Sequence, residues 1–482
     1  MVIETDYLVV GAGASGMAFV DSLIAESDAD VVMVDRRHRP GGHWNDAYPF
    51  VRLHQPSAYY GVNSRVLGSD AIDQAGPNAG FYERATAAEI CDYYNRVLDE
   101  QLVASGRVRF FGMSDYIGDR AGKHCFVSRL TGEETRVRVR RKFVDATYLE
   151  AAVPATHPPP FDVDDDARLV PVGELTRLTS PGTGYTVIGG GKTAMDACQW
   201  LLDNDVPPET IRWIRPRETW LLDREFQQPL ELLPALIEGV SLTREAAAEA
   251  ESIPDLFDRL EACGQLMRLD PGVDATMYRC ATVSRDEVES LRRIDNVVRR
   301  GRVAHIGAHR ITLDDGSIPT DPAHVHIDCT AAGLGVPPVR PIFESDRVTL
   351  QLVRSCQPAF SAALVAFVEA SSRSDQEKNR LCPTNQYPNA AVDWIPTHLI
   401  SQLAQTAWSD APDVKNWVTN SRLNLARGIG EHRDDPRMQS ALDRMSEKTG
   451  PAIANLQRLL DQAGSPASDA LRPGRISPGG GV

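Results

Sequence analysis

Asp6-Tyr-Leu-Val-Val-Gly11-Ala-Gly13-Ala-Ser-Gly16 opens the chain with a short apolar run that breaks into a glycine-rich turn. The run reads as a buried strand, and Met17, Val20, Leu23 and Ile24 then recur at helical spacing from Ala14 to about Ala25. Strand, tight turn and helix in that order make the GxGxxG spacing informative, where the same letters in an ordinary loop mean little. Gly11 permits the bend, Gly13 admits a pyrophosphate against the backbone, and Gly16 lets helix and sheet pack closely. Ala14 and Ser15 begin the helix, where a phosphate is favoured. The next strand, Asp30-Val-Val-Met-Val-Asp35, ends in a carboxylate ~20 residues past the turn, the place from which an acid accepts hydrogen bonds from the ribose hydroxyls of an adenosine. A plain βαβ turn with a capping aspartate is the alternative. Arg36 and Arg37 alongside would suit a 2′-phosphate, whereas Asp35 favours FAD or NAD.

A second fingerprint follows the strand Tyr185-Thr-Val-Ile188 as Gly189-Gly-Gly191-Lys-Thr-Ala194, and Lys192 to Leu202 reads as a helix. Alanine at the third position is an accepted variant. The strand after it, Ile211-Arg-Trp-Ile-Arg215, ends without an acid, and Arg215 and Arg217 stand where Asp35 stood in the first site. Guanidinium forks match a 2′-phosphate that a carboxylate would repel, so NADPH is expected there, with Lys192 and Thr193 near the phosphates. Lys192 also reads as a solvated surface lysine. Two nucleotide sites on one chain suggest two redox cofactors exchanging electrons.

Pro40-Gly-Gly-His-Trp44, followed by Tyr48-Pro-Phe-Val-Arg-Leu-His-Gln-Pro-Ser57, resembles the flavin-binding part of NADPH-dependent flavoprotein monooxygenases. That group includes the flavin-containing, Baeyer–Villiger and N-hydroxylating enzymes. The resemblance implies FAD at the first site, touched by Arg36, Gly42, His43 and Trp44, with His54 and Gln55 against the reactive edge of the isoalloxazine. Phe143-Val-Asp-Ala-Thr-Tyr148 and His326-Ile-Asp-Cys-Thr-Ala-Ala-Gly333 resemble the family's outward and return crossings between FAD and NADPH domains, placing Ala332 and Gly333 beside cofactor.

The expected fold is therefore α/β, with two Rossmann-like dinucleotide-binding domains. A discontinuous FAD domain spans 1–160 and 322–400, an NADPH domain spans 165–321, a helical region spans 401–462, and a disordered tail spans 463–482. Within the NADPH domain the stretch 223–300 reads as a helical insertion, with Leu230 to Ile237, Ile253 to Met267 and Val288 to Val298 apolar at helical spacing. The reaction implied is transfer of one oxygen atom, through a C4a-(hydro)peroxyflavin, to a small-molecule substrate. His157-Pro-Pro-Pro-Phe161 departs from the Baeyer–Villiger signature expected in that region, which turns the expectation toward N-oxygenation of an amine or amino acid. His54, with an ordinary imidazole pKa near neutrality, is expected to influence peroxide protonation. An NADPH-dependent flavin reductase or oxidase acting on a quinone-like acceptor or oxygen, and a flavin-binding protein without turnover, are the alternatives.

Composition fits a large enzyme: 482 residues with 42% hydrophobic side chains build substantial cores. A net charge of −15 and the lack of a basic stripe argue against nucleic acid and anionic membranes. With the first strand so close to Met1, a signal peptide has no room, and a cytoplasmic location is expected. Molecular oxygen and a small molecule are the expected partners, and a homodimer is allowed. The eight cysteines show no CxxC or CxxxxC, which argues against a disulfide reductase that passes electrons through a close dithiol. His305 and His309 lack a third ligand at metal spacing, so no metal is expected.

Overall fold

Runs such as Val31-Val-Met-Val34 that are apolar on every residue become inner strands, because a parallel sheet is covered on both faces. The computed structural model describes residues 2–119, 124–149, 151–331 and 333–464. Along the chain come β1 (Val2–Val10), α1 (Ala14–Glu26), β2 (Val31–Val34), β3 (Val108–Phe111), β4 (Ser114–Asp119), β5 (His124–Ser128) and β6 (Glu134–Asp145). Then follow β7 (Leu169–Pro171), β8 (Tyr185–Ile188), α2 (Lys192–Asp203), β9 (Ile211–Ile214), β10 (Val297–Val298), β11 (Val325–Asp328), β12 (Arg347–Thr349) and α3 (Pro358–Ala370).

Two Rossmann-like sheets result, the first mixed, with β4 and β5 antiparallel at one edge, and the second parallel. In the first, the order is β3-β2-β1-β6-β5-β4, with β12 also pairing with β6. On the edge away from β1, β6 serves two neighbours in turn: its first residues pair antiparallel with β5, while Phe143 to Asp145 pair parallel with β12. Helices α1 and α3 close one face, where Met17, Phe19 and Leu23 share a core with Phe360, Leu364 and Val368. The second sheet is parallel throughout, in the order β10-β9-β8-β11-β7. The chain thus leaves the first sheet through β6 and returns to it at β12.

Both crossings end in the same turn. Asp145 Oδ1 accepts from the Thr147 N–H and hydroxyl at 3.0 and 2.8 Å, and Asp328 Oδ1 accepts from the Thr330 N–H and hydroxyl at 2.8 and 2.5 Å. Just beyond, the crossings pair with each other as an antiparallel ribbon, Ala151 with Leu334 and Ala152 with Gly333.

The stretch 223–300 differs from the all-helical expectation. Helices span Leu233–Glu249, Ile253–Ala262 and Arg285–Leu291, but Leu266–Met267 and Met277–Val283 are strands flanking Thr219–Asp223. Val297 and Val298, read as helical, form β10 instead, because pairing with Trp213 and Ile214 outweighs a short apolar periodicity. The polar stretch from Lys378 begins within a helix, Asp375–Leu381, held by a Ser374–Glu377 capping box. C-terminal helices span Trp394–Ser409, Pro412–Asn420 and Pro436–Gln462, and Trp394, Trp408 and Trp417 are buried among them. Of the tail expected to be disordered, 465–482 lies outside the described residues. Among the described residues no helix is long and apolar enough to cross a membrane.

Candidate cofactor cleft

Both glycine turns open into one cleft of about 1310 Å³. That exceeds the ~300–1,000 Å³ of a typical single-ligand site. Gly13 and Gly191 are the N-caps of α1 and α2, and neither helix has a side-chain cap. Their first-turn N–H groups are the donors a phosphate would satisfy.

The first turn is packed backbone to backbone. A Cβ on Gly16 would lie 1.9 Å from the Gly11 carbonyl oxygen, so a side chain there must displace the turn. Gly42, at φ +55°, approaches from the other side: a Cβ on it would lie 2.9 Å from Gly13 Cα. The Pro40-Gly-Gly-His-Trp44 segment is therefore a second wall laid on the nucleotide turn. Asp35 is buried, and its two carboxylate oxygens accept from Ala12 N–H at 2.6 Å and Arg37 N–H at 2.7 Å. Each carboxylate oxygen has a second acceptor direction, which leaves capacity for ribose hydroxyls. Trp44 is fixed by its indole N–H donating to Tyr60 Oη at 2.8 Å.

Of the residues singled out in sequence, Gly11, Gly13, Ala14, Ser15, Asp35, Arg36, Gly42, His43, Trp44, His54 and Gln55 line the first part of the cleft. Gly189, Gly191, Lys192, Thr193, Arg217 and Gly333 line the second part. Gly16 is buried beneath the turn, and Ala332 lies outside the described residues.

Arg215 requires correction. It does not line the cleft: its guanidinium is buried, lies over the Trp213 ring with 4.8 Å to the centroid, and pairs with Glu218 at 3.3 Å. The guanidinium in the cleft is that of Arg217, with Arg279 and Arg302 in the same lining. Arg217 and Arg279 both donate to Asn389 Oδ1, at 3.3 and 3.0 Å. Burial and the charges of Arg302 and Arg279 together lower the Arg217 pKa. Three guanidiniums converging on one place are suited to an anion. Sequence reading missed Arg279 and Arg302 because they come from distant segments, one within the strand Met277–Val283 and the other just before the strand Val303–Ile306.

Lys192 is buried and its ammonium contacts Asp196 on the same helix, while Asp196 Oδ2 accepts from the Tyr48 hydroxyl at 2.6 Å. This Lys192–Asp196–Tyr48 chain ties the loop after Trp44 to the helix of the second unit. It also excludes the alternative of a solvated surface Lys192.

His54 is half-buried in the cleft wall, and its pKa falls to about 3, first through burial and then through the positive charges of Lys192, Arg224 and Arg84. The expectation that it titrates near neutrality is thereby overturned. Its carbonyl accepts from Arg224 Nε at 3.2 Å. Arg224 is fully buried and donates to Glu287 at 2.6 Å, and Arg84 reaches the same carboxylate at 3.5 Å. Burial raises the Glu287 pKa, but Lys192, Arg224 and Arg84 outweigh it and bring it to about 2. A group with a depressed folded pKa stabilises above its unfolded value and loses that contribution as pH falls through the folded one. Glu287→Gln leaves two guanidiniums without a counter-charge and is expected to cost ~3–5 kcal/mol, read by denaturant unfolding at pH 7. The difference between wild type and Glu287→Gln is expected to shrink as pH drops from about 4.5 toward about 2. A Glu287→Gln unfolding midpoint equal to that of wild type at pH 7 contradicts this reading of the network.

The sequence shows no close dithiol, yet the fold creates a disulfide between Cys280 and Cys356, both of which line the cleft. No group of three or more metal-binding side chains is found among the described residues. His305 instead pairs with Asp164 at 2.9 Å.

Residues 9–62 match the model of an NAD(P)-binding Rossmann-like domain. The uncharacterized protein Rv2000 of Mycobacterium tuberculosis (strain H37Rv) is 48% identical over 465 residues, covering 96% of this chain and 85% of that protein. The uncharacterized protein Mb2023 of Mycobacterium bovis matches with the same identity and coverage, 48%, 96% and 85%. Among solved structures, the polycyclic ketone monooxygenase from the thermophilic fungus Thermothelomyces thermophila aligns with a TM-score of 0.52 at 13% identity. It covers 92% of this chain and 89% of its own. That likeness is one of fold.

Proposed function

This chain belongs to one family with the mycobacterial proteins Rv2000 and Mb2023 and carries the two-unit Rossmann fold of the flavoprotein monooxygenases. From it we propose an FAD-dependent monooxygenase that consumes NADPH and transfers one atom of molecular oxygen to a small molecule. The observation that carries the reading is the single cleft onto which two uncapped nucleotide turns open, one beside an acid and the other beside arginines. When bound, FAD and NADPH supply a hydride donor and a two-electron carrier that reacts with oxygen.

The residues of the chain divide the remaining work. The α1 turn and Asp35 would hold the adenosine diphosphate part of FAD, and the α2 turn and Arg217 would hold NADPH through its phosphates. By the same resemblance His54 and Gln55 would face the reacting ring, with His54 offering a neutral imidazole that exchanges hydrogen bonds without carrying charge. Burial first, and then the positive charges of Lys192, Arg224 and Arg84, keep that imidazole neutral. Among substrates, an amine or amino acid nitrogen is the acceptor we favour, by the resemblance described above. A homodimer and a cytoplasmic location belong to the same proposal.

The test is NADPH and oxygen consumption with peroxide release across a panel of amines, sulfides and ketones. Substrate-stimulated NADPH use with little peroxide supports oxygen transfer, and oxygen-independent turnover overturns it. The pH–rate profile of kcat is expected to show no limb from His54 between about pH 5 and 8, since its charged form appears only near pH 3. A limb in that range that vanishes in His54→Asn would contradict this assignment.

A further inference from the structure

Cys280 and Cys356 are 76 positions apart in sequence, and their Cα atoms are 6.3 Å apart across the disulfide. Both residues line the cofactor cleft, which sets this bridge apart from one sealed in a core. Cys91, Cys198, Cys263, Cys329 and Cys382 carry free thiols. Cys280 and Cys356 both hold left-handed backbones, at φ 53° and 60°. Non-glycine residues seldom adopt that region, and those that do cluster at functional sites.

The bridge joins two separate walls. Cys280 belongs to the strand Met277–Val283, next to Arg279, while Cys356 stands just before α3. Cys356 is the more exposed partner, since Cys280 is only 8% exposed, and Ser355 Oγ lies 3.3 Å from Cys356 Sγ. Exchange depends on access to the sulfur attacked, which favours Cys356.

We infer that Cys280 and Cys356 form a thiol–disulfide exchange site for a low-molecular-weight thiol, whose oxidised form ties the Met277–Val283 strand to the start of α3. A thiolate of the small thiol attacks Cys356 Sγ. The bond to Cys280 breaks, Cys280 leaves as a thiolate that takes up a proton, and a mixed disulfide remains on Cys356. A second small thiolate attacks the outer sulfur of that mixed disulfide, releasing the oxidised small disulfide and the Cys356 thiolate, which is then protonated. Two small thiols are oxidised to one disulfide, and the protein bridge is reduced to two thiols. Opened, the strand bearing Arg279 is no longer held covalently to α3.

The test is alkylation of the native full-length protein followed by mass spectrometry, with glutathione as the small thiol. After reduced glutathione, two further thiols are expected to be labelled, at Cys280 and Cys356, and oxidised glutathione is expected to remove both. In Cys280→Ser, glutathione is expected to be trapped on Cys356, and far less is expected on Cys280 in Cys356→Ser. Hydrogen exchange in the Met277–Val283 strand of wild type is expected to quicken after reduction. A bridge that opens to glutathione only in denaturant, or two thiols that stay free under oxidised glutathione, overturns the inference. Faster exchange without labelling at these two positions overturns it as well. These readouts follow sulfur and backbone whether or not a flavin is bound, so their failure is distinct from failure of the monooxygenase reading.

Discussion

Gly16→Ala is expected to give protein that retains flavin at roughly a tenth of the wild-type level or less. The new methyl group would sit 1.9 Å from the Gly11 carbonyl oxygen. Neither partner is a flexible side chain: both are backbone, locked by Gly11 N–H donating to Val34 O at 2.9 Å and by Met17 N–H donating to Gly13 O at 2.9 Å. Relief therefore requires α1 to move away from β1, and overpacking of this kind costs ~1–3 kcal/mol, about one to two orders of magnitude in an equilibrium. Visible flavin absorbance per polypeptide reads the loss, and circular dichroism separates it from general unfolding. Ala194 is the internal control: the second turn already carries alanine at its third position, fully buried. A folded Gly16→Ala protein with full flavin content would contradict the geometry of the first turn.

Arg217→Ala is expected to raise the KM for NADPH by roughly 10- to 100-fold, with little change for NADH. This follows from loss of a charge-assisted hydrogen bond to a phosphate, worth ~1.5–3 kcal/mol. Arg215→Ala tests the alternative that sequence alone suggests. Its guanidinium lies on Trp213 and against Glu218, so its loss is expected to lower the unfolding midpoint while leaving the NADPH/NADH ratio close to that of wild type. Steady-state kinetics with both nucleotides distinguish the two arginines, and a selectivity change confined to Arg215→Ala would contradict the assignment.

These two arginines mark where sequence reading stops. The glycine turns, their strands and helices, and Asp35 were legible because a nucleotide turn is local: strand, bend and helix lie within a few residues of one another. The paired crossings were legible for the same reason, through the repeated Asp-x-Thr ending. Which arginine faces the cleft was not, because it depends on whether the chain after β9 turns its side chain over Trp213 or out past Gly190. A Cβ on Gly190 would lie 2.6 Å from the Arg217 carbonyl oxygen, a contact that no spacing rule reports. The Cys280–Cys356 bridge was invisible for a similar reason: motif rules look for close cysteines, and these are brought together by tertiary packing. His54 was found by its motif and given the wrong protonation behaviour. Its positive neighbours Arg84, Arg224 and Lys192 come from three distant segments.

In the proposed function one cleft holds a flavin reduced by NADPH and reoxidised by oxygen with transfer of an oxygen atom. The most direct measurement is turnover of the purified protein under isotopically labelled oxygen, with substrate, NADPH and product followed together. Flavin bleaching by NADPH is expected in the absence of oxygen, then one labelled oxygen atom in product for each NADPH consumed. Product carrying oxygen only from water, or NADPH turnover that ends entirely in peroxide or proceeds unchanged without oxygen, would contradict it.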